Sequence, residues 1–124
     1  MKHNGWDYLE HMIQACDELF VCMQDIESSA DLIENIVKRR AVVMCLLELG
    51  ELFKSLCDAE KGLYPSDSWR NIIGFRNRAS HGYHSLDFDI VYRIATMQVP
   101  SLYEFLKKQQ QKLANEEDGQ NNAV

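Results

Sequence analysis

Leu9, Met12, Ile13, Cys16, Leu19, Phe20, Met23 and Ile26 recur at spacings of three and four residues. This apolar stripe constrains the fold more than any other feature of the chain. The period places all eight side chains on one face of a helix. A helix with one apolar face has to bury it against another of the same kind. Val42, Val43, Cys45, Leu46, Leu49, Leu52, Phe53 and Leu56 repeat the pattern downstream, and only two prolines and six glycines interrupt the 124 residues. The predicted fold class is therefore all-α, an up-down bundle of four to six helices. A single domain over residues 1–113 is expected, followed by a polar tail over 114–124 with too little apolar content to order itself. Hydrophobic residues make up 46% of the chain, enough for a core that needs neither disulfides nor metal.

The periodicity sets approximate boundaries. A first helix is expected from Trp6 to Ile26, capped by Asn4 or Asp7, with Ser28-Ser29 breaking the pattern and offering a new N-cap. Ala30 to Val37 reads as a short helix and Lys38 to Leu56 as the next; one bent helix fits the pattern equally. Gly62 and Pro65 mark a loop from Asp58 to Asp67. A fourth helix is expected over Ser68–Ser80, with Gly74 permitting close backbone approach and Gly82 ending it in the left-handed region. A fifth starts near Leu86 or Asp87, and Pro100 interrupts it to open a sixth from Ser101 to Leu113.

A net charge of −6 does not suggest a nucleic-acid binder, but local clusters decide that question. One is Lys38-Arg39-Arg40; a looser one comprises Arg70, Arg76, Arg78, His81, His84 and Arg93. Cys16, Cys22, Cys45 and Cys57 lie in apolar runs without CxxC spacing. They read as reduced core thiols of a cytoplasmic protein, with no zinc site and no cofactor expected. No leader is visible and no apolar run approaches the ~20 residues that span a membrane, so no membrane partner is expected.

Unusual polarity is concentrated in Arg76-Asn77-Arg78-Ala79-Ser80-His81-Gly82-Tyr83, directly after the apolar Ile72-Ile73-Gly74-Phe75. Asn77 and His81 lie four apart and share a helix face, so Asn77 is placed to orient the imidazole. Arg76 and His81 lie five apart, about 140° from one another on an ideal helix. A histidine near neutral pKa and an arginine fork suit metal-free cleavage of an RNA phosphodiester. The imidazole takes the 2′-OH proton, and the guanidinium neutralises charge gathering on the phosphoryl oxygens.

Arg76-x4-His81-Gly82-Tyr83 resembles the R-x4-H-x-Y motif of the HEPN superfamily, in its HepT-like toxin branch. Gly50-Glu51, Pro65, Trp69, Ile72 to Asn77 and Val99-Pro100-Ser101-Leu102 agree with that family in order and spacing, over roughly residues 6–113. The resemblance implies a homodimeric helical bundle with two motifs in a shared cleft. It implies a metal-independent endoribonuclease leaving 2′,3′-cyclic phosphate ends, with Arg76 and His81 catalytic. Asn77 and Glu51 are expected in support, and Arg78 and His84 on the RNA. It further implies a toxin–antitoxin pair, type VII-like. There a minimal nucleotidyltransferase antitoxin transfers AMP from ATP to Tyr83, whose hydroxyl is expected exposed at the mouth of the same cleft.

Plainer readings stand beside these. Arg76 can simply pair with Glu51, His81 can cap a helix end, Tyr83 can pack with a wet hydroxyl, and Lys38-Arg39-Arg40 can be a solvated face, while Gly50-Glu51 reads as close helix packing with a buried or motif-facing carboxylate. The competing function is a non-catalytic helical subunit that presents substrate to a nucleotidyltransferase.

Overall fold

The computed structural model describes residues 4–60 and 62–122, with side chains described between Gly5 and Glu116. The described residues contain helices and turns and no strand. The helices are α1 (Asn4–Cys22), α2 (Ser29–Glu34), α3 (Ile36–Ala59), α4 (Arg70–Ile73), α5 (Phe75–Ala79), α6 (Phe88–Arg93) and α7 (Val99–Asn122). Tight 3₁₀ turns occupy Ser66–Trp69 and Tyr83–Ser85, and a π-helical turn, Ile94–Gln98, joins α6 to α7.

The predicted stripes meet as expected. Leu9, Met12, Cys16 and Leu19 of α1 and Val42, Leu46, Leu49, Phe53 and Leu56 of α3 are fully buried, joined by Val99, Leu102 and Leu106 of α7. Burying each large side chain contributes roughly 1.5–3 kcal/mol, so this three-helix packing dominates stability. Cys16 and Cys45 belong to the same core, and all four cysteines are free. Burial pushes both of those thiols up to about 12, which keeps them protonated.

Several boundaries differ from the periodicity. The first helix ends at Cys22 because the chain turns at Asp25, whose φ is +67°. Asn4 opens α1, but its side chain lies outside the described residues. Ser28 caps α2 as predicted, accepting a hydrogen bond from the Asp31 N–H. The α2–α3 break falls at Asn35, whose side chain accepts from the Lys38 N–H and starts α3 two residues before Lys38. The fourth predicted helix is broken into a 3₁₀ turn, α4 and α5, with Gly74 between the last two.

Pro100 does not interrupt the helix it enters. The π turn absorbs it, with the Val99 N–H reaching back five residues to the Ile94 carbonyl. A widened turn removes the need for the amide hydrogen that proline lacks. Helix α7 then continues past Leu113, its predicted end, to Asn122. Residues 123–124 lie outside the described residues.

Candidate active site

The motif segment is mounted on α3 through one close contact. A Cβ added at Gly50 would lie 2.5 Å from the Ile72 carbonyl oxygen. Only glycine lets α4 approach α3 so closely. The close packing expected at Gly50 is therefore present, whereas that expected at Gly74 is not: the nearest atom to an added Cβ there is the Arg70 carbonyl oxygen of its own turn, at 3.1 Å. Ile72 and Phe75, both buried, anchor α4 and α5 to the core, while Trp69 packs on Phe105 of α7 at 5.9 Å between ring centroids.

Beyond Phe75 the polar residues face outward. Arg76 is 68% exposed, and its Nε lies 3.4 Å from Glu51 Oε1 on α3. The Glu51 carboxylate faces the motif and is not buried. Arg76 and Glu51 together line two shallow grooves on the α3 side, one with Gly50 and Lys54, the other with Met44 and Ser80.

His81 opens elsewhere. It is exposed and shares with Arg78 a cleft of about 370 Å³ on the α6 side, walled by Phe75, Leu86, Asp87 and Ile90. Arg78 also donates to Asn71 Oδ1 at 3.3 Å. Among the described residues, no hydrogen bond joins Arg76 to His81. None joins the Asn77 amide to the imidazole either, so the orienting role expected of Asn77 is not seen here. Its backbone carbonyl instead accepts from Ser80 Oγ at 2.7 Å, while Ser85 Oγ donates to the His81 carbonyl at 3.1 Å. These bonds stiffen the backbone around His81 and leave its ring free.

Gly82 has φ +106° and ψ 145°, so it does adopt a positive φ, but in an extended conformation and not the left-handed helical one predicted. This turn points Tyr83 back toward the protein. Arg40 lies over the Tyr83 ring at 4.5 Å and Arg39 at 5.8 Å, and Phe88 packs edge-on at 5.6 Å. The Tyr83 hydroxyl is buried and has no hydrogen-bond partner, and Arg39 Nε is likewise buried without one. The expectation of an exposed hydroxyl at the cleft mouth is therefore corrected, because two arginines from the start of α3 enclose the ring by cation–π contact. No local sequence signal could reveal this contact, since Arg40 and Tyr83 are 43 residues apart. His84 remains exposed beside Tyr83, with ring centroids 6.0 Å apart.

Among the described residues no group of three His, Cys, Asp or Glu side chains is placed to hold a metal, and no helix is long and apolar enough to cross a membrane.

Comparison with known proteins bears on the family. Residues 11–109 match the family described as "Ribonuclease HepT-like". A provisionally named RNase of Caldanaerobacter subterraneus subsp. tengcongensis is 30% identical over 105 residues, covering 85% of this chain and 93% of its own. A provisionally named ribonuclease HepT of Thermococcus cleftensis is 27% identical over 111 residues, covering 87% of this chain and all of its own. No solved structure matches significantly. With an all-α bundle, an R-x4-H-x-Y segment at an exposed helix end and a match over most of its length, this chain belongs to the HepT-like ribonuclease family of the HEPN superfamily.

Proposed function

We propose that this protein is a metal-independent endoribonuclease toxin of a type VII-like toxin–antitoxin pair, acting in the cytoplasm as a homodimer. The observation that carries this reading is the exposed Arg76 and His81 pair in a chain of ribonuclease lineage. His81 accepts the proton of the ribose 2′-OH, and the freed oxygen attacks the adjacent phosphorus. Arg76 stabilises the charge that develops on the phosphoryl oxygens. The 5′-oxygen leaves with a proton from an acid, and the products are a 2′,3′-cyclic phosphate and a 5′-hydroxyl.

One chain offers Arg76 and His81 on different grooves. A second copy resolves this, since Arg76 of one protomer can face His81 of its partner and a second imidazole can act as the acid. Glu51 supports the pair by holding Arg76 until substrate arrives, and Asn77 contributes only through its backbone carbonyl, which accepts from Ser80 Oγ, while Arg78 and His84 contact RNA phosphates.

Tyr83 is the acceptor for neutralisation by a cognate minimal nucleotidyltransferase. Its phenolic oxygen attacks the α-phosphorus of ATP, pyrophosphate leaves and the phenolic proton passes to a base. In the resting chain the hydroxyl is buried, so the side chain swings outward first. A buried, unpaired hydroxyl costs roughly 1–3 kcal/mol, which lowers the free energy needed for that release. Once attached, AMP adds bulk and negative charge beside the cleft and repels RNA.

Intact mass after incubation with the nucleotidyltransferase and ATP tests this arm. Wild type gains AMP-sized increments and Tyr83→Phe gains none; equal modification of both would place the acceptor elsewhere. Sedimentation tests the dimer, and a monomer with full cleavage activity would refute it.

A further inference from the structure

The cleft that holds His81 is chemically two-sided. Arg78 and His81 supply the donors that a phosphate needs. The opposite wall is apolar, built from Phe75 and Val91, each 1% exposed, with half-buried Leu86 and exposed Ile90 at the rim. A phosphodiester has no use for such a wall, and the ribose is largely polar. The flat, apolar faces of a nucleobase do fit it.

Among the described residues, Asp87 is the one carboxylate lining this cleft. It would repel a phosphate, so its place there calls for a donor. One of its oxygens accepts from the Asp89 N–H at 2.9 Å and caps α6; the other accepts no hydrogen bond among the described residues. A carboxylate at a base edge accepts from an exocyclic amine. Adenine, cytosine and guanine carry such an amine, whereas uracil offers only its N3–H, flanked on both sides by carbonyl oxygens that a carboxylate repels.

We propose that this cleft is a nucleobase subsite that takes an amine-bearing base next to the phosphate at His81, with Asp87 as the selecting group and Ile90 as part of the wall. The proposal deepens the ribonuclease reading. It rests on that reading for the place of the base in the reaction, while the binding itself does not require cleavage.

The experiment uses the full chain and 2′-deoxy hexamers of adenine, cytosine or uracil, which lack the attacking hydroxyl and so report binding alone. Fluorescence anisotropy should show the adenine and cytosine hexamers bound about ten-fold more tightly than the uracil hexamer. Ile90 is 37% exposed, so Ile90→Trp fills the cleft without disturbing the core, and it should remove most of the adenine and cytosine binding. Asp87→Asn keeps a capping oxygen and should abolish the preference against uracil. Equal affinity for the three hexamers, or a preference unchanged in both variants, would overturn the subsite. Ribohexamers assayed in parallel separate the two ideas. Cleavage indifferent to base and to both variants removes the subsite and keeps the ribonuclease. Base-selective binding in a chain that cuts none of them removes the ribonuclease and keeps the subsite.

Discussion

The core of α1, α3 and α7 and the segment from Ser66 to Asp87 are built on opposite terms. In the core, helices of 19 and 24 residues bury whole rows of side chains, and each residue's place is fixed by many neighbours. In the motif segment, α4 and α5 have four and five residues, neither has a side-chain cap, and Ile72 and Phe75 are the buried anchors. Such short helices are not stable by themselves and take their geometry from α3. The contrast teaches that stability and the proposed chemistry are separable in this protein: the first sits in the bundle and the second is assigned to a tethered polar edge.

Three substitutions probe the separation, in falling order of effect on stability. Phe53→Ala removes a fully buried ring from the core and should cost about 3–5 kcal/mol, read as a lower midpoint in urea. Gly50→Ala strikes the tether. Its Cβ would meet the Ile72 carbonyl, a backbone atom that cannot rotate away. It should cost roughly 1–3 kcal/mol and also lower cleavage in the folded fraction, because α4 and α5 must shift together. A Gly50→Ala protein with unchanged stability and activity would mean the motif is not positioned by that contact. Glu51→Gln should change stability by less than about 1 kcal/mol, since the Arg76–Glu51 pair is largely solvated. Its effect should appear in cleavage at limiting RNA, where Arg76 no longer has a competing anion; a large drop in thermal midpoint would contradict the surface assignment.

The same division explains what was legible in the sequence. The bundle was readable because burial imposes a period, and Leu9 through Leu19 or Val42 through Leu56 repeat it with few exceptions. Ser28 was readable because an N-cap acts through local geometry. The motif was readable as a set of residue types, but its arrangement was not. Gly50 was readable as a point of close helix packing, but that Gly74 makes no such approach depends on where α4 meets α3, which no local spacing encodes. The enclosure of Tyr83 by Arg39 and Arg40 is a contact between segments far apart in the chain, and a basic triplet at a helix start looks the same whether it faces solvent or a ring. The π turn before Pro100 was hidden because proline at a helix start and proline absorbed by a widened turn share one sequence signature. Asp87 was readable as a helix start but neither it nor Ile90 was readable as part of a site, because neither belongs to a motif; the shape of the cleft alone brings them beside His81.

Cleavage of a labelled RNA by the lone chain, with His81→Ala and Arg76→Ala alongside, tests the central claim most directly. Both side chains are exposed, so circular dichroism should show the same helical content in all three proteins. Each variant should lose on the order of 10²–10³ in rate, as expected for a group acting in the transition state, and wild type should cut in EDTA and leave 2′,3′-cyclic phosphate ends. Cleavage that survives both substitutions, or that appears only when a divalent metal is added, would contradict the account.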